Sequence, residues 1–124
     1  DDRVAMFMHS SIDKLLYPPF WCIGIEKDGE IIGGVLFNCF EGHDVHATVA
    51  GKGWTPNFLK VAGKFAFDTL GCERITAITE QDSIVILGQR LGGQLEGRLR
   101  NHFGKGRDAL VVGILKDEYR FKEE

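Results

Sequence analysis

Apolar and polar positions divide the 124-residue chain into alternating helix-like and strand-like stretches. Residues 3–16, RVAMFMHSSIDKLL, have helical spacing with a break expected near Ser10 and Ser11. Ser10 followed by Asp13 has the form of an N-cap with a carboxylate in the first turn. Pro18 and Pro19 stop that helix, because neither nitrogen carries the hydrogen that a helix interior needs. The run WCIGIEKDGEIIGGVLFNCFE reads as strand, turn and strand, with Asp28-Gly29 as the hairpin turn. A third strand is expected over 43–49, HDVHATV.

Between 55 and 70 the apolar residues Phe58, Leu59, Val61, Ala62, Phe65, Ala66 and Leu70 recur at helical spacing. Thr55 and Pro56 suit the N-cap and first position of that helix, and Gly71 suits its end. ERITAIT at 73–79 reads as a strand, and QDSIVILGQRLG at 81–92 as a short helix ending on glycine. Two final strands are expected over 93–103 and 108–119, joined by the turn GKGR at 104–107. Helix, three antiparallel strands, helix, strand, helix and two strands make one α+β domain over residues 1–124, with helices on both faces of a mixed sheet.

Composition narrows the function. Hydrophobic residues make up 44% of the chain and charged residues 27%, as in an ordinary globular domain. A net charge of −3 gives no broad basic surface, so neither nucleic acid nor an anionic membrane is an expected partner. No stretch approaches the roughly 20 apolar residues of a membrane span. Cys22, Cys39 and Cys72 are far apart and odd in number, with no CxxC or Cys/His spacing, so no metal is expected. Cys22 and Cys39 sit in apolar strand-like runs, where a buried reduced thiol is the usual state, and a cytoplasmic protein is the expectation. A chain opening on Asp1 rather than Met leads to the further expectation that part of its N-terminus is missing.

VAGKGWTPNFLKVAGKFAFDTLG, residues 49–71, then poses the main question. Glycines before a helix start can bring backbone N–H groups against a phosphate, or can form only a turn. GKGW opening a helix, GCERITAIT following it, then RLGGQLEGRLRNHF and DALVVGIL resemble the GNAT superfamily of acyl-CoA N-acyltransferases over about residues 20–119. The branch that acetylates ribosomal-protein N-termini, with small phage-type relatives, is the most similar, through the stretch Arg90 to Arg100. The resemblance implies a GNAT-like twisted, mostly antiparallel sheet and acetyl-CoA as cofactor. It implies a cofactor site at Ala47, Val49, Gly51, Lys52, Gly53, Trp54, Thr55 and Gln81. Ala50 and Gly88 depart from the family pattern: Ala50 stands where a Gln or Arg is usual, and Gly88 near the position of a catalytic tyrosine.

Acetyl transfer to an amine needs a base for the departing proton and a donor for the carbonyl oxygen, which in this family is a backbone N–H of the strand 43–49. Strand alternation puts Asp44, His46 and Thr48 on one face and Val45, Ala47 and Val49 on the other. His46 beside Asp44 is the first candidate base, with a hydrogen-bonded structural histidine as the alternative, and Glu41 is the second candidate. Tyr17, Phe20 and Trp21 cluster near the acceptor end, where core packing is the competing role. Glu96, Arg98 and Arg100 read as a solvated strand face.

The leading expectation is an N-acetyltransferase acting on a primary amine of a peptide, a protein or a small molecule, by direct attack and without metal. The competing one is a catalytically inactive GNAT-like domain serving as a binding or structural subunit, such as one of a phage protein. A homodimer formed through the last strands accompanies the resemblance, and an exposed sheet edge favours such covering.

Overall fold

The computed structural model describes residues 2–11 and 19–122. Helix α1 (Asp2–Ser11) precedes strands β1 (Trp21–Lys27), β2 (Glu30–Asn38) and β3 (Asp44–Gly51). Helix α2 (Pro56–Lys64) runs on into a π-helical turn at Phe65–Thr69. Strand β4 (Arg74–Thr79), helix α3 (Asp82–Arg90) and strands β5 (Gln94–Leu99) and β6 (Ala109–Leu115) complete the chain. The strands form one sheet in the order β1-β2-β3-β4-β6-β5, antiparallel throughout except where β3 lies parallel to β4. This is the expected α+β architecture, with a mostly antiparallel sheet.

Local chemistry accounts for the joints. Asp28 and Gly29 both adopt left-handed backbone, φ 53° and 83°, which matches the twist of the hairpin strands they connect. Thr55 caps α2 as expected: its Oγ1 accepts the Phe58 N–H at 3.2 Å, and Pro56 follows in the first turn. The uninterrupted helix expected to Leu70 instead widens after Lys64, and the Leu70 N–H reaches back to the Phe65 carbonyl at 2.8 Å. That turn accommodates two rings, Phe67 buried and Phe65 partly so. Phe65 packs on Phe37 and Trp21, with centroids 5.5 and 6.1 Å apart, while Phe67 packs on Tyr119 at 5.4 Å.

Other boundaries move for identifiable reasons. The strand expected to run to residue 103 ends at Leu99, because Asn101 turns left-handed (φ 57°). The Asn101 amide donates to Asp108 Oδ1 at 2.9 Å, and its side-chain oxygen accepts the Gly106 N–H at 2.8 Å. Ser10 is not an N-cap; it lies in the last turn of α1 and donates to the Phe7 carbonyl at 2.9 Å. Asp13, Tyr17 and Pro18 lie outside the described residues. Cys39 is exposed rather than buried, since it sits past the end of β2 in left-handed backbone (φ 52°).

Two apolar clusters flank the sheet. The larger joins Val35, Phe37, Val45, Ile75, Val112 and Ile114 to α2, α3 and Tyr119. The smaller, Val4, Met8, Leu36 and Ala50, lies under α1. Contacts of α1 run to β1, β2 and β3. Among the described residues no helix is long and apolar enough to cross a membrane.

Candidate functional site

The parallel strands β3 and β4 pair only at Asp44↔Arg74, Val45↔Ile75 and His46↔Thr76. Beyond that point β3 stays with β2 as far as Gly33↔Gly51, and β4 stays with β6 as far as Thr79↔Leu110. The sheet therefore splits into a V whose apex is His46 and Thr76. Each strand feeds a helix at this open end, β3 into α2 and β4 into α3, so both helix N-termini stand at the carboxyl ends of the separated strands. That is where α/β sheets bind ligands. A narrow cleft lies between the sheet and the two helices. Its walls include Ala47, Val49, Trp54, Ala77, Ile84 and Leu87 and are almost wholly apolar.

At the mouth, the glycines have a structural reason of their own. A Cβ on Gly51 (φ 76°) would stand 2.1 Å from the Ile32 carbonyl oxygen, and one on Gly33 would stand 2.2 Å from that of Lys52. Two backbones cross there too closely for side chains. The Lys52 N–H donates to Ile32 O at 3.1 Å and the Thr55 N–H to Gly53 O at 2.8 Å, so both are engaged. The amides of Gly53, Trp54 and Asn57 have no backbone partner among the described residues. The indole Nε1 of Trp54 is buried beside the cleft and has no hydrogen-bond partner among the described residues. A phosphate-bearing ligand would meet these donors with no acidic side chain in the first turn of α2, whereas α3 opens on Asp82. These donors beside apolar walls would suit a ligand with a phosphate end and an apolar arm.

Gln81 caps α3 through its backbone only and is exposed; its N–H donates to Thr79 Oγ1 at 3.0 Å. Gly88 is buried on the cleft wall, where a Cβ would come 2.7 Å from Val112 Cγ1. Close seating of α3 on β6 thus explains a glycine at that position. At the inner end of the cleft the Tyr119 hydroxyl donates to the Leu59 carbonyl, and its ring lies over Gly63. Burial pushes the Tyr119 phenol up to about 12.

On the opposite face, as the alternation requires, stand Asp44 and His46. His46 Nε2 lies 3.7 Å from Asp44 Oδ2. Asp44 Oδ1 accepts the Thr76 hydroxyl at 2.6 Å and is 3.5 Å from Arg74 Nε. Arg74 also donates from Nε to Thr76 Oγ1 at 3.0 Å and reaches Glu96 Oε1 at 2.7 Å. Glu96 first, then Asp44, hold the Arg74 guanidinium above its ordinary pKa. Glu41 lies in the exposed turn before β3, where its amide donates to the Asp44 carbonyl at 2.8 Å. It makes no hydrogen bond or ion pair with His46 among the described residues. The structure therefore brings His46 and Asp44 together and leaves Glu41 apart.

Arg74, Thr76 and Glu96 were not singled out by the sequence pattern as one group. A bulge between Leu95 and Gly97 turns Glu96 toward Arg74, so it does not share a regular face with Arg98 and Arg100. The available signal was the polar pair Arg74 and Thr76 on one face of an inner strand.

No protein-family model matches this chain, and no curated protein matches it in sequence. Solved structures do. A mutant of spermidine N-acetyltransferase SpeG from Vibrio cholerae superposes with TM-score 0.69 at 19% identity, over 81% of this chain and 66% of that one. A chimera of SpeG from Vibrio cholerae and hSSAT gives 0.67 at 22% identity, over 81% and 69%. A dodecameric spermidine N-acetyltransferase from Vibrio cholerae gives 0.67 at 20% identity, over 79% and 66%. The chain spans about two thirds of the length of these enzymes and shares their GNAT-like fold.

Proposed function

We propose that this chain is an N-acyltransferase domain that moves an acetyl group from acetyl-CoA to a primary amine. The observation that carries the reading is the V between β3 and β4, apolar inside and opening on two helix N-termini. When bound, acetyl-CoA would supply a thioester carbonyl activated for attack. The free amides of Gly53, Trp54 and Asn57 would hold its pyrophosphate, with Lys52 adding charge and Trp54 Nε1 gaining a partner. Ala47, Val49 and Ala77 would line the pantetheine arm and exclude water. The unpaired edge of β3 near Val49 offers a backbone N–H for the carbonyl oxygen.

Because β3 and β4 stop pairing past His46 and Thr76, an acceptor on the α1 side would reach the thioester through the gap between them. His46 stands there and takes the proton of the attacking amine, directly or through a water. Gln81 borders the mouth from α3 as a further polar contact. The structurally similar enzymes act on spermidine by name, which makes polyamines the first acceptors to test and peptide amines the second. The exposed edge strand β5 suits pairing with a second copy, and the cytoplasm suits the free thiols.

Calorimetric titration with acetyl-CoA and with desulfo-CoA tests the cleft, and thiol release in the presence of spermidine or a peptide amine tests the reaction. Micromolar binding of both ligands with amine-dependent thiol release is the expected result. Absence of binding at millimolar acetyl-CoA overturns the reading.

A further inference from the structure

Resting on the assignment of His46 as base, the polar side chains behind it carry a second role. Arg74 and Glu96 pair across the sheet over Gly113, where a Cβ would lie 2.3 Å from Glu96 Oε2 and 2.5 Å from an Arg74 guanidinium nitrogen. Thr76, only 7% exposed, accepts from Arg74 and so sends its own hydroxyl proton to Asp44. Both of these neighbours engage Asp44 Oδ1. Its other oxygen, Oδ2, is left facing the His46 imidazole at 3.7 Å.

We propose that Glu96, Arg74 and Thr76 are positioning residues that hold Asp44 in one rotamer, with Oδ2 aimed at His46, to orient the ring. The amine lone pair forms the bond to the acyl carbon, and the carbon–sulfur pair leaves as the thiolate of coenzyme A. The amine proton passes to His46 and then to solvent or to the thiolate. A surface ion pair of the Arg74–Glu96 kind would by itself add little to stability. Its linkage through one buried hydroxyl to one carboxylate oxygen is what gives it a directional effect.

The test is a set of double-mutant cycles on the whole chain with acetyl-CoA and the best amine. His46→Ala is expected to lower kcat about 100-fold. Asp44→Asn should lower it roughly tenfold and Glu96→Gln roughly threefold, each with KM for acetyl-CoA within about twofold of the unsubstituted chain. In a His46→Ala background both substitutions should become silent, and Glu96→Asp should restore most of the rate lost in Glu96→Gln. Equal losses with and without His46 mean a structural role and overturn the proposal while leaving the acyltransferase reading intact. Full turnover in His46→Ala overturns the base assignment and this proposal together. If Asp44→Asn does not fold, the Glu96 cycle decides alone, since Glu96 lies on an exposed edge strand. An unsubstituted chain that turns over no amine overturns the proposed function itself.

Discussion

The two faces of β3 share one backbone and differ in almost everything else. Val45, Ala47 and Val49 pack toward α2 and α3 in the larger apolar cluster. Asp44 and His46, on the other side, join the ion pairs and hydrogen bonds of Arg74, Thr76 and Glu96. Along the strand there is a second contrast. The first three residues are bonded to β4, while the last five have β2 alone. The polar chemistry gathers at the closed end and the apolar cleft at the open one. A strand that is a wall on one side and a ligand of a polar network on the other needs both neighbours to diverge at one point, and that point is His46.

The strongest way to break this contrast is to disturb what holds β3 against β2 while β4 departs. Gly51→Ala places a methyl against the Ile32 carbonyl in left-handed backbone. Strain and overpacking together should cost roughly 3–5 kcal/mol. Urea unfolding monitored by Trp fluorescence reads it, and a loss below about 1 kcal/mol would mean that the crossing relaxes easily.

The two faces should then separate by kinetics. Ala47→Leu fills the cleft wall and should weaken acetyl-CoA binding at least tenfold (about 1.4 kcal/mol), with the polar network intact. His46→Ala should leave that binding unchanged and lower turnover. Titration calorimetry on both variants decides the matter: if both substitutions change the affinity alike, the two faces are not functionally distinct.

Much of the fold was readable because local chemistry specified it. Asp28-Gly29 fixed a hairpin, Thr55-Pro56 a helix start, and alternation the two faces of β3. The V was not readable, because it depends on where β4 stops pairing, and no residue type marks that. Glu96 was misplaced for a related reason: alternation assumes a regular strand, and a bulge re-aims one side chain. The glycines at 51 and 53 were ambiguous in principle. A phosphate loop and a close backbone crossing make the same demand on the sequence, and here the crossing accounts for Gly51 while the amides of Gly53 and Trp54 have no backbone partner among the described residues. Gly88 and Gly113 carried no signal of their own, since their reason is a neighbour brought near by tertiary packing.

The smallest effect belongs to the inner end of the apolar side, where the Tyr119 hydroxyl bonds the Leu59 carbonyl and ties the C-terminal segment to α2. Tyr119→Phe keeps the ring over Gly63 and removes that bond, which should cost about 1 kcal/mol at neutral pH. The pH dependence gives an internal check. The folded-state phenol is raised from 10.0 to about 12, so it is neutral in both states near pH 8. Between pH 10 and 12 the unfolded chain ionises first and binds fewer protons than the folded one, so the unsubstituted protein loses stability as pH rises. The phenylalanine variant lacks this loss, and lysine titration is common to both proteins. The stability difference between them should therefore shrink above pH 10. A difference that stays constant from pH 8 to pH 12 would mean that the Tyr119 hydroxyl is not confined against α2, and that the cleft is open at its inner end.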